Sequence, residues 1–158
     1  MKYLTKEVCR LLPKKADESF EERYSKMTAE EQNAAFAEMV KRVRKAGNEY
    51  TYYYCMIAGN LPDHIKQNYG FHDRTVLSAQ ADGKDFVLTL SPDEDQPFNE
   101  VRYIDAEVLE NEDIAGCVWV YDEVNISPDG TPEYHALLEG GRDDYRYLTV
   151  KAKNIEFI

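Results

Sequence analysis

Residues 29–59, "AEEQNAAFAEMVKRVRKAGNEYTYYYCMIAG", decide the fold. Phe36, Val40, Val43, Gly47, Tyr50, Tyr54 and Ile57 recur along them at alternating spacings of four and three. At about 100° per residue such a set keeps to one stripe about 100° wide, the face that a helix turns to a core. Thr28 and Glu31 stand ahead of it at capping-box spacing. A competing reading ends the helix at Ala46-Gly47-Asn48 and makes "YTYYYCMI" a strand, which its aromatic composition would suit. The unbroken spacing across Gly47 favours one helix, kinked at that glycine. On this helix Tyr50 and Tyr54 continue the stripe, Tyr53 lies at its edge, and Tyr52 and Met56 form a second apolar strip opposite. An end that is apolar nearly all round is expected between two layers. Tyr52 alone then lacks a default partner, which makes it a candidate ligand contact.

The flanks extend the pattern. "YLTKEVCRLL" (residues 3–12) is a short amphipathic segment stopped by Pro13, and Ser19-x-x-Glu22 resembles a capping box before a second short helix. "NLPDHIKQNYG" reads as a further short helix, with Pro62 in its first turn and Gly70 past its end. From residue 71 the period changes to two. "RTVLSAQ" and "DFVLTLS" flank the turn signal Ala81-Asp82-Gly83-Lys84, and "EVRYIDAEV", "GCVWVYDEVNI" and "EYHALLE" follow. The last region, "YRYLTVKAKNIEFI", is expected to bend near Lys153-Asn154. Short connections imply an antiparallel meander. The expected fold is α+β: one domain over 1–158, with the helices of 1–70 packed on one face of a mainly antiparallel sheet of about six strands in 71–158.

Composition narrows the class. With 158 residues, 43% apolar and 31% charged, the chain can bury a sizeable core and reads as globular. No apolar run approaches the roughly 20 residues that span a bilayer, and charge rather than an apolar region follows Met1–Lys6, so a cytoplasmic protein without membrane association is expected. Cys9, Cys55 and Cys117 are odd in number, far apart and apolar in setting, as reduced buried thiols would be. The net charge of −11 is uneven. Residues 1–70 hold 12 Lys and Arg against 10 Asp and Glu, while residues 71–158 hold 7 against 20, a surplus of −13. Such a half repels phosphate backbones, so direct nucleic-acid binding is disfavoured, and a basic protein partner is attracted.

His72-Asp73 at a strand entrance, Trp119-Val120-Tyr121-Asp122-Glu123, Glu133-Tyr134-His135-Ala136-Leu137-Leu138 and the opening "MKYLTKE" occur in an order that is familiar. In these motifs the chain resembles an uncharacterised bacterial domain-of-unknown-function family of small cytosolic proteins. The resemblance implies a cytosolic bacterial setting and supplies no catalytic residues.

Candidate chemistry concentrates on two strands. Strict alternation puts Trp119, Tyr121 and Glu123 on one strand face and His135 on the facing side of the next strand. Together with His72 and Asp73 they could form a ligand pocket in which a carboxylate tunes an imidazole. Against this, Trp119 and Tyr121 could fill a core with Glu123 and His135 hydrogen-bonded at its rim. No spacing matches a metal or triad signature, so neither a catalytic residue, a metal nor a cofactor is assigned. Asp93–Gln96 begins like a calcium loop but lacks its glycine and its closing glutamate, and Lys41–Lys45 ("KRVRK") reads as a solvated helix face with Lys41, Arg42 and Lys45 pointing off the stripe. The expected function is a non-enzymatic interaction module, immunity- or inhibitor-like, whose acidic half meets a basic partner. The alternative is a small-molecule- or metal-binding protein, or an enzyme, built on Trp119, Tyr121, Glu123 and His135.

Overall fold

In the computed structural model, which describes residues 1–141 and 144–158, residues 29–57 form one unbroken helix. The elements run α1 (Lys6–Cys9), α2 (Phe20–Ser25), α3 (Ala29–Ile57), α4 (Asp63–Asn68), β1 (Val76–Asp82), β2 (Asp85–Leu90), β3 (Glu100–Ile104), β4 (Glu107–Asn111), β5 (Val118–Ile126), β6 (Pro132–Gly141), β7 (Asp144–Lys151) and β8 (Asn154–Phe157). Both capping boxes are present: Ser19 with Glu22 starts α2, and Thr28 with Glu31 starts α3. At 29 residues α3 is about 43 Å long. Even so, no helix among the described residues is long and apolar enough to cross a membrane.

The fold is α+β, but the single sheet of about six strands is not what forms. Two antiparallel four-stranded sheets do, ordered β1-β2-β3-β8 and β4-β7-β6-β5. The reason is two bends. "EVRYIDAEV" breaks at Asp105, whose φ of 48° is left-handed, into β3 and β4, which join different sheets. Asp is among the few residues that take this conformation readily, and Lys84 O and Asp85 Oδ1 accept the N–H groups of Ala106 and Asp105 at the corner. The final strand region breaks at Ala152-Lys153, where the bend was expected, into β7 and β8. A third link joins the sheets: Trp119 N–H donates to Arg74 O at 2.8 Å and Val76 N–H to Cys117 O at 2.9 Å. Both sheets therefore wrap one core, which includes Phe71, Leu88, Tyr103, Trp119, Tyr134 and Val150.

The N-terminal segment and α3 pack on the outer face of the β4-β7-β6-β5 sheet, whereas α4 sits against β8 and sends Ile65 into the main core, so the helices do not all cover one face. Leu4, Cys9, Leu12, Ala46 and Leu137 are buried outside the main core, where residues 2–6 hydrogen-bond to β5 and β7 and α1 meets α3. The first ten residues form less helix than expected, only the single turn Lys6–Cys9. The apolar stripe of α3 is real over its second half and fails at its start: Phe36 is 57% exposed. Nor does the tyrosine-rich end lie between two layers, because Tyr52, Cys55 and Met56 face solvent. Cys55 is thus no buried thiol, whereas Cys9 and Cys117 are. Lys41 and Lys45 are solvated as expected, but Arg42 turns inward and donates to Arg10 O at 2.6 Å.

Candidate functional site

The expected cluster of Trp119, Tyr121, Glu123 and His135 does not assemble, for a local reason. A β-bulge interrupts the β5–β6 register between Trp119 and Tyr121. One extra residue reverses the facing of everything beyond it. Trp119 therefore points into the core, fully buried against Phe71 at 4.9 Å between ring centroids, while Tyr121 and Glu123 turn to the outer face. Glu123 and His135 are paired across the strands, as expected. His72 does not join Glu123 and His135: it is exposed, its Nδ1 is 3.0 Å from Asp73 Oδ1, its ring meets Tyr121 edge-on at 6.0 Å, and its charge acts on Asp122. Tyr52 stands in solvent on α3, 72% exposed.

Glu123 and His135 hold the N-terminal segment. The Glu123 carboxylate is completely buried and accepts three backbone N–H bonds, from Lys2 (2.8 Å), Tyr3 (2.9 Å) and Leu4 (2.5 Å). Charge-assisted bonds of this kind are about twice as strong as neutral ones. Beside it, the Met1 nitrogen lies 3.0 Å from His135 Nδ1, which also lies 3.1 Å from Thr149 Oγ1. An ammonium can only donate, so Nδ1 accepts and the imidazole is neutral. Burial, then the positive charge at Met1, lowers the His135 pKa to about 4. Tyr147 Oη takes the Lys6 N–H at 2.8 Å and extends the clasp along β7. Two of the tyrosines of α3 have a related task. The Tyr50 and Tyr53 hydroxyls accept the N–H groups of Val124 and Ile126 on the free edge of β5, at 2.7 and 3.1 Å. An otherwise unpaired sheet edge is thereby closed.

The opposite side of β5 carries the arrangement that sequence reasoning missed. Asp122, brought to the core side by the bulge, sits at a cavity of about 280 Å³ between α3, α4 and β5, with Tyr50, Tyr54, Tyr69, Ile65 and Lys66 around it. The opening leaves Asp122 partly exposed, yet its carboxyl is desolvated enough that its pKa rises to about 6. The Trp119 indole N–H, at 3.3 Å, and the Phe71 N–H point at it and moderate that rise. No residue forms a salt bridge with Asp122 among the described residues. Tyr50, Tyr54 and Tyr69 all have raised pKa values, chiefly through burial and in part through the Asp122 charge. The available signal was the Asp within "WVYDEV", obscured by assuming strict alternation.

A second unforeseen residue is Arg74, 2% exposed, whose guanidinium donates to Ser91 O, Phe98 O, Gln96 Oε1 and Asn99 Oδ1. It anchors the acidic loop 91–99. Within that loop Asp93 Oδ1 accepts the N–H groups of Asp95 and Gln96, which makes a turn. Among the described residues no group of three or more His, Cys, Asp or Glu side chains is placed to hold a metal ion. Compared with protein-family models, with curated proteins and with solved structures, the chain finds a match in none of the three.

Proposed function

We propose that the protein is a non-enzymatic interaction module whose acidic β half engages a basic protein partner, in the manner of an immunity or inhibitor protein. The carrying observation is the surplus of −13 over residues 71–158. The spent chemistry of the outer face supports the same reading, since Glu123 and His135 are engaged in holding the N-terminal segment. The favoured contact is β4, which among the described residues pairs only with β7 and leaves its other edge free. Glu107, Val108 and Leu109 are exposed there, next to Glu110. An edge with apolar side chains between carboxylates suits a basic segment that adds backbone hydrogen bonds, and it repels acidic ones.

Affinity purification at two ionic strengths tests this, with Glu107→Lys plus Glu110→Lys as the control. A basic protein should be retained by the wild type at about 0.1 M salt, released at several-fold higher salt, and not retained by the reversal variant. Retention indifferent to both salt and charge reversal contradicts the proposal.

A further inference from the structure

We propose that the cavity between α3, α4 and β5 is a binding site for a small organic ammonium group, held by the Asp122 carboxylate and walled by the rings of Tyr50, Tyr54 and Tyr69. This site is independent of the acidic outer surface. Three observations converge on it. Asp122 is a desolvated carboxylate that forms no salt bridge among the described residues, His72 acting on it only through space, and its hydrogen bond from the Trp119 indole is long at 3.3 Å. A buried charge left in that condition lacks a counter-ion. Lys66, which also lines the cavity, is committed to Asp63 at 2.7 Å. The walls are aromatic, with Tyr50 and Tyr54 tilted by 50° at 5.9 Å between centroids. Electron-rich ring faces around a carboxylate attract ammonium ions through both the charge and the ring quadrupole.

Size and sign narrow the class. A cavity of about 280 Å³ equals the liquid volume of roughly nine waters, enough for an alkyl- or trimethylammonium group and too small for a nucleotide. An anion would meet Asp122 and, behind it, the charge of Glu123. The ligand chemistry could come from a free amine or from a lysine side chain of a protein, and a binding experiment separates the two.

Trp119 is the only tryptophan and its indole touches Asp122, so its fluorescence reports on the site. The intact chain is titrated with tetramethylammonium, n-butylammonium and Nα-acetyl-lysine amide, with butyrate as the anionic control. A saturable change with the ammonium ions and none with butyrate is expected, at least tenfold weaker in Asp122→Asn. Tighter binding of the lysine amide than of butylammonium assigns a protein side chain as the source, and the reverse order assigns a free amine. Affinity should fall as the pH drops below about 6, because Asp122 gains a proton, and Asp122→Asn should lose that dependence. The other titratable groups around Asp122 are Tyr50 and Tyr54 on α3, Lys66 on α4, Tyr103 on β3, Tyr69 and His72 in the segment after α4, and, through the strand from the opposite face, Glu123 on β5. His72→Gln should leave the pH dependence in place. Should Asp122→Asn not fold, Tyr54→Leu must weaken ammonium binding several-fold instead. Saturation by butyrate in place of the ammonium ions, or equal ammonium affinity in the wild type and the variants, overturns the proposal.

Discussion

Asp122 and Glu123 are neighbours on one strand, and their surroundings could hardly differ more. Glu123 faces outward, is fully buried, and receives three backbone N–H bonds from the segment it holds down. Asp122 faces inward, opens onto a cavity, and is held by one long indole bond and one backbone N–H. A carboxylate saturated by the protein's own amides has finished its task in folding. A carboxylate that the fold leaves short of charge has capacity for something else. The difference separates structural from functional acidity where composition alone shows only a surplus of Asp and Glu.

The largest effect should come from breaking the saturated member. Glu123→Gln removes the charge from three donors and sets an amide NH₂ against at least one of them, so unfolding in urea should show a loss of about 3–5 kcal/mol. Asp122→Asn is expected to show no such loss at pH 7.

Acid sharpens the same contrast. His135 in the clasp titrates near 4 when folded and near its ordinary 6.5 when unfolded. The unfolded chain therefore binds more protons between these values, and stability falls by up to about 3 kcal/mol as pH drops from 6.5 to 4. Asp122 does the opposite: its folded pKa of about 6 lies above its ordinary 3.8. The folded state then binds more protons, and its contribution is lost as pH rises through that window, again by about 2–3 kcal/mol. Denaturation curves from pH 4 to 7 should show His135→Gln flattening the acid loss and Asp122→Asn steepening it.

Smaller effects should follow at α3. Tyr50→Phe leaves the Val124 N–H on the β5 edge without an acceptor and should cost about 1–2 kcal/mol in the same assay. Gly47 has nothing within 4 Å of where a Cβ would stand. Gly47→Ala should therefore stabilise the helix, by about 0.5–1 kcal/mol, and raise the melting temperature.

The reading from sequence succeeded where a period is enforced over many residues. α3 was legible across Gly47 because the stripe resumes in phase at Tyr50, and the strands were legible because alternation is long. What failed was decided by single residues. Asp105 adopts a left-handed conformation that splits one strand between two sheets, and nothing in "YIDAEV" demands it. The bulge after Trp119 parts that residue from Tyr121, Glu123 and His135 and brings Asp122 to the cavity instead. The pairing of Glu123 with His135 was legible, and the use made of it was not, because the ligand is the backbone of residues 2–4 and backbone amides leave no mark in a sequence. Arg74 was equally silent: a lone arginine at a strand entrance looks like surface.

The contrast between the two carboxylates is tested most directly by amide hydrogen exchange at Lys2, Tyr3 and Leu4, followed by NMR in the wild type, Glu123→Gln and Asp122→Asn. Slow exchange of all three amides is expected in the wild type and in Asp122→Asn, with loss of protection confined to Glu123→Gln. Fast exchange in the wild type, or equal protection in all three proteins, would contradict the account.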